Sequence, residues 1–218
     1  MTPSLLSPEA ARAWYPDDPT HGYEHVLTVL CLAEMIARQE GADLEIVHAA
    51  VLLHDATPPL AAVSLHHGAG RQEHHLSSAE FARQVLAAQG WSEERITEVQ
   101  HCIRAHRFRD EREQPQTLEA QVLFDADKLD AIGARGVLRA LAYALAHGMP
   151  AYAPPSAQFL ASGQLSPGEP HSAYHEFVFK LVRLKDRLYT STARALAEPR
   201  HALMTEFFER LRQESQPD

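Results

Sequence analysis

The chain has 218 residues, 45% of them hydrophobic, and a formal net charge of −9 with neutral histidines. This bounds it to one globular domain with at most a modest addition. The acidic balance argues against a nucleic acid polymer as partner, which needs a basic footprint, and no apolar run approaches the ~18–20 residues of a membrane span. The N-terminus has no basic segment leading into an apolar stretch, so the expected compartment is the cytoplasm. Cys31 and Cys102 lie in apolar helical patterns and make no disulfide framework. Histidine is abundant, at 14 residues, and clustered at 66–67, 74–75, 101–106 and 171–175. Such clustering raises metal binding as a possibility.

Residues 1–20 read as an N-terminal extension. Val26, Val29, Leu30, Ala33 and Ile36 then recur at helical spacing, and Gly41 stops that helix. Asp43 is the expected N-cap of a helix over 44–56, closed by Pro58 and Pro59. A loop is expected over 56–74. Ser77 and Glu80 match a capping box opening the next helix, which Gly90 ends. Ser92 caps another that runs to His106, followed by a charged loop to Pro115. Residues 117–148 read as a long apolar helix with a polar interruption from Asp125 to Asp130. Residues 150–170, rich in Pro, Gly and Ser, read as an excursion or lid. The segment 175–214 reads as amphipathic helix kinked near Pro199. No alternating strand pattern appears, so the expected class is all-α, a single-domain helical bundle over 21–218.

One stretch carries the chemistry. In "AAVLLHDATPP", residues 49–59, three large apolar residues run directly into His54 and Asp55. A carboxylate at the end of a buried helix needs a compensating partner: a salt bridge, a hydrogen-bonded cap or a metal ion. Adjacent residues on a helix point about 100° apart, yet at its last turn both can reach one point beyond its end. His25 on the preceding helix and Asp127 in "FDADKLDAIG" could join them. Two imidazoles and two carboxylates suit Mn, Fe, Ni, Zn, Mg or Co rather than a thiolate metal. Manganese is the ion expected.

This ordered set resembles the HD-domain phosphohydrolase superfamily. The blocks "HAAVLLHDA", "HCIRAHRF", "TLEAQVLFDADKLDAIGARG", "FKLVRLKDRLYT" and "AEPRHALMTEFF" resemble a bacterial subfamily that includes nucleoside triphosphate pyrophosphohydrolases. The likeness spans 21–212. It implies that His25, His54, Asp55 and Asp127 occupy the family's metal positions. Asp125, two residues before the last of these, is either a helix cap or a group acting through water. Lys128 resembles a phosphate-binding position and, following the polar interruption, is expected at the start of a helix whose amide groups also favour anions. The sequence also departs from its relatives. Thr28 stands where an Arg is common, Pro58 stands where the 5′-deoxynucleotidase branch has a Glu, and "ATPPL" lacks the Glu-Asp pair of (p)ppGpp hydrolases. The HD-GYP signature is absent.

His101 and His106, at the end of one helix, can hold phosphate or move a proton, although the helix dipole alone favours imidazolium there. With Lys128 they are the candidate catalytic groups. His75, Lys128 and Lys180 are the candidate substrate contacts; for Lys180 the other reading is a stem lying along an amphipathic helix. The expected activity is metal-dependent cleavage of nucleoside triphosphates to monophosphate and pyrophosphate. The alternatives are a phosphomonoesterase and a metal-stabilised helical sensor without turnover. The expected partner is a small phosphate compound, and the oligomeric state is open.

Overall fold

The computed structural model describes residues 6–15, 22–56, 74–107 and 113–216. Among these there are helices and no strand, as the periodicities require. The loop expected over 56–74 falls almost wholly on residues outside the described ones. The described residues group into two compact units, one of 1–127 with 189–192 and the other of 128–188 with 193–218.

The first unit contains α1 (Pro8–Ala11), α2 (Tyr23–Glu40), α3 (Leu44–Leu53), α4 (His74–Ala88), α5 (Glu93–Ala105) and α6 (Leu118–Asp130) as far as Asp127. Its centre is α3. Ile46, Val47, Ala49, Ala50, Val51, Leu52 and Leu53 are all buried, and the helix packs against α1, α2, α4 and α5. A helix that is apolar all round belongs in a core. Its start is fixed locally: the Asp43 carboxylate accepts the N–H groups of Glu45 and Ile46 at 2.9 and 3.2 Å. Gly41, at φ 83°, ends α2 in the left-handed conformation that glycine adopts most readily. The extension is part of this unit, with Leu6 and Ala11 buried.

Three expected boundaries move. α4 begins at His74, not at the Ser77–Glu80 box, and the Ser77 hydroxyl donates back to the His74 carbonyl. Asp125–Asp130 is helical; the break comes afterwards, at Ala131–Ile132. The expected helix over 175–214 divides into α9 (Ala173–Phe179), two single 3-10 turns and α10 (Ser191–Glu214), and helix runs through Pro199. The division has a cause 64 to 65 residues away. Tyr189 and Thr190 donate their backbone N–H groups to Asp125, so they cannot also serve a continuous helix.

The second unit contains α7 (Gly133–Ala146), α8 (Ala157–Ser162), α9 and most of α10. Its core includes stacked Phe177 and Phe208, with centroids 4.5 Å apart. Buried Asp130 receives Arg135 and Arg139. The 150–170 excursion is clasped to this core. The Glu169 carboxylate accepts Ser156 N–H at 2.6 Å, the Ser156 hydroxyl at 2.7 Å, Ser166 N–H at 2.7 Å and His175 Nε2–H at 3.0 Å. Gly163, at φ 74°, lies so close to the Phe179 ring that a Cβ would stand 2.2 Å from it.

These hydrogen bonds, the Ser156 hydroxyl first among them, lower the Glu169 carboxyl from 4.5 to about 2. A depressed folded-state value means the clasp is complete above the ordinary carboxylate range and is lost as pH falls from about 4.5 toward 2. Hydrogen exchange at the Ser156 and Ser166 amides should therefore show protection that fades over this window. In Glu169→Gln the protection should be weaker at neutral pH and flat through it. Identical profiles would contradict the clasp.

Candidate metal centre

The last turn of α3 leaves carbonyls without intrahelical partners, and the structure assigns them. Val51 C=O accepts His54 Nδ1–H at 2.7 Å, Leu52 C=O accepts the Tyr15 hydroxyl at 2.9 Å, and Leu53 C=O accepts Ala56 N–H at 3.2 Å. A carbonyl can only accept, so His54 Nδ1 carries a proton, and in the neutral imidazole Nε2 keeps its lone pair. His54 is fully buried, and that Nε2 has no hydrogen-bond partner. It lies 3.6 Å from Asp55 Oδ2. Asp55 Oδ1 is also buried without a hydrogen bond. His74 Nε2 is 3.1 Å from it, within ion-pair range but outside hydrogen-bond geometry.

Two more elements close on this point. His25, in the first turn of α2, is buried with Nε2 3.4 Å from Asp127 Oδ1 on α6. The His25 and His54 rings are 5.6 Å apart. His106 caps α5, donates Nδ1–H to the Ile103 carbonyl at 2.5 Å and brings Nε2 within 3.7 Å of Asp55 Oδ1. Ligand atoms of His25, His54 and Asp127 lie within 4.8 Å of one another, as do those of His54, Asp55 and His106. The two groups share His54 and together hold all four expected ligands.

The donor set fits a divalent cation. A buried imidazole lone pair and a buried carboxylate oxygen without hydrogen bonds each cost about 1–3 kcal/mol unless something accepts them, and a cation does so. The His54 Nδ1–carbonyl bond is the orienting contact typical of a metal-bound histidine. Burial pushes the Asp55 carboxyl up, but the positive charge of the surrounding imidazoles when protonated, His54 first and then His74 and His106, outweighs it and holds the group well below the usual carboxylate range. A divalent ion would supply that positive charge in place of the proton on His54 Nε2.

Asp125 and Asp127 stand 200° apart on α6, at 100° per residue. Asp127 faces His25. Asp125, with no exposed surface, accepts Tyr189 N–H at 2.9 Å and both Thr190 N–H and its hydroxyl at 2.7 Å. It is the anchor for residues 189–190.

The other candidates have other settings. His101 donates Nδ1–H to Glu113 at 2.7 Å and accepts Gln116 N–H on Nε2 at 3.1 Å, so both ring nitrogens are used in tying α5 to 113–116. His75 is buried, with Arg107 Nη1 3.5 Å from its Nδ1; its neighbour His74 is the one that reaches Asp55. Lys128 sits in the last turn of α6, which corrects the expectation that it opens a helix with anion-binding amides. Lys180 pairs with Glu176 at 3.0 Å, one turn away. His74 was legible as a loop histidine beside His75; the capping box three residues on concealed that it belongs to the first helical turn.

The HD domain family model matches residues 22–132. YpgQ of Bacillus subtilis (strain 168) is 36% identical over 215 residues, 95% of this chain and 93% of that protein. The crystal structure of B. subtilis YpgQ in complex with ADP matches with a TM-score of 0.68 at 31% identity, covering 95% of this chain and 97% of that one. A Lactobacillus plantarum crystal structure matches at 0.74 and 30% identity, over 97% and 95%. An HD-superfamily hydrolase from Bacillus thuringiensis matches at 0.62 and 28%, over 90% and 87%. Among the described residues no helix is long and apolar enough to cross a membrane.

The two aspartates on α6 should separate by experiment. Asp127→Ala should lose bound metal with little change in the melting temperature of the metal-free protein. Asp125→Ala removes three charge-assisted hydrogen bonds and should cost on the order of 3 kcal/mol or more, a fall of roughly 5–15 °C, while its folded fraction retains metal. Metal analysis and thermal denaturation of both variants check this, and the reverse ranking would exchange their roles.

Proposed function

The chain belongs to the HD domain family and is a metal-dependent phosphohydrolase, and from that premise we propose that it cleaves a nucleoside triphosphate at the α-phosphorus, releasing nucleoside monophosphate and pyrophosphate. The observation that carries the nucleotide assignment is the ADP complex of B. subtilis YpgQ, which aligns with nearly the whole of this chain. His25, His54, Asp55 and Asp127 hold the ion, for which manganese suits the mixed nitrogen and oxygen donors. When bound, it supplies positive charge for a phosphate oxygen and acidity for an attacking water.

The residues around it supply the remainder. Asp55 and Asp127 balance the two charges of a divalent ion, so the charge of a polyphosphate chain must be met by other cations. His74, beside Asp55, is one such group when protonated. Lys128, next in sequence to Asp127, is a second candidate. His106 has its Nδ1–H fixed on a carbonyl and its Nε2 turned toward Asp55, which suits it to take a proton at that edge of the site and return it to a leaving oxygen. His101 has no free ring nitrogen for this task.

Hydrolysis in ¹⁸O-labelled water across nucleotides and metals tests the proposal. Label in the nucleoside monophosphate, with pyrophosphate as partner, is expected. His106→Ala should lower kcat by roughly 10²–10⁴ while leaving metal content near the parent value. Inorganic phosphate as the sole early product, with preference for monophosphates, would instead establish a phosphomonoesterase. Metal binding without turnover on any phosphate compound would establish the sensor alternative.

A further inference from the structure

The segment before residue 22 lies outside the HD family match, yet it makes a contact at the end of α3. The Tyr15 hydroxyl donates to Leu52 C=O at 2.9 Å. Leu52 stands two residues before His54 and three before Asp55, in the last turn of α3. One phenol therefore holds the turn from which both side chains project. We infer that Tyr15 is a positioning residue of the metal centre, holding the Leu52–Asp55 turn in the geometry that aims His54 and Asp55 at the ion.

The segment is built to deliver that hydroxyl. Ser7 caps α1 through Ala10 N–H at 3.1 Å. The Leu6 carbonyl accepts His48 Nε2–H at 3.0 Å, which ties the start of the segment to α3. The Pro8 carbonyl accepts the Tyr23 hydroxyl at 2.6 Å, tying it to the first turn of α2, two residues from His25. Trp14 meets Phe81 of α4 edge to face, with centroids 5.4 Å apart. Tyr15 follows these anchors, 6.4 Å from the Tyr23 ring. Three of the helices around the centre thus fix the backbone that leads to one side chain. Coordination tolerates roughly 0.5 Å of ligand displacement, so an unfastened turn loses affinity even with all four ligands present.

The inference rests on the assignment of His54 and Asp55 as metal ligands, and Mn²⁺ titration followed by electron spin resonance of the free ion tests both. The comparison is between the parent chain and Tyr15→Phe, which keeps the ring and removes the donor. The variant should bind Mn²⁺ roughly threefold to tenfold more weakly, the change one net hydrogen bond gives, while the metal-free proteins melt within a degree or two of each other. Equal affinity overturns the inference. A lower melting temperature with unchanged affinity in the folded fraction also overturns it, because the hydroxyl is then only a fold contact. Absence of Mn²⁺ binding by the parent overturns the metal assignment itself, and the role of Tyr15 with it.

Discussion

A helix end buried on every side has no water to receive the carbonyls of its last turn. α3 has such an end, with residues 49–54 all buried, and the way that end is satisfied organises the first unit. Val51 C=O takes the His54 ring, Leu52 C=O takes Tyr15, and Leu53 C=O takes the backbone two residues past His54. The first of these bonds serves structure and chemistry together. It removes an unpaired carbonyl, and because Nδ1 must carry a proton, the neutral ring presents its buried lone pair on Nε2. A group that would be a defect in a purely structural core can serve a metal ion, with His25 of α2 and Asp127 of α6 alongside.

Asp125 and Asp127 show how helix geometry divides labour between like residues. Two positions apart on α6, they face opposite ways. One meets imidazoles and can be met by a cation; the other is enclosed by two backbone N–H groups and a hydroxyl. The two carboxylates have different surroundings: the first faces His25 Nε2 at 3.4 Å, the second a ring of donors. The second arrangement also fixes residues 189–190, which is why helix cannot be continuous from α9 into α10.

Much of this was legible in the sequence where the governing interactions are local. Asp43 and Ser92 as caps, Gly41 and Gly90 as stops, and the buried character of α3 follow from neighbouring residues alone. The set His25, His54, Asp55, Asp127 was expected from residue types and from the family resemblance, and the structure brings His25, His54 and Asp127, and likewise His54 and Asp55, within 4.8 Å of one another. What escaped was set by partners distant in sequence. Nothing near residue 180 announces that Asp125 will claim the amides of 189 and 190. Nothing near His101 indicates that Glu113 and Gln116 will occupy both its nitrogens. Lys128 was misplaced because the polar run 125–130 looks like a break, whereas Asp125, Asp127 and Asp130 are each compensated from outside the helix or serve the site. Residues 6–15 looked like an addition to the domain because their anchoring depends on α2, α3 and α4, which one local stretch cannot reveal.

The central claim is that the end of α3 converges with α2 and α6 on a divalent ion. Anomalous diffraction from crystals loaded with Mn²⁺ tests it most directly. A peak is expected within coordination distance of His25 Nε2, His54 Nε2, Asp55 and Asp127. No peak at the end of α3, or one whose nearest protein atoms exclude His54 and Asp55, would contradict it.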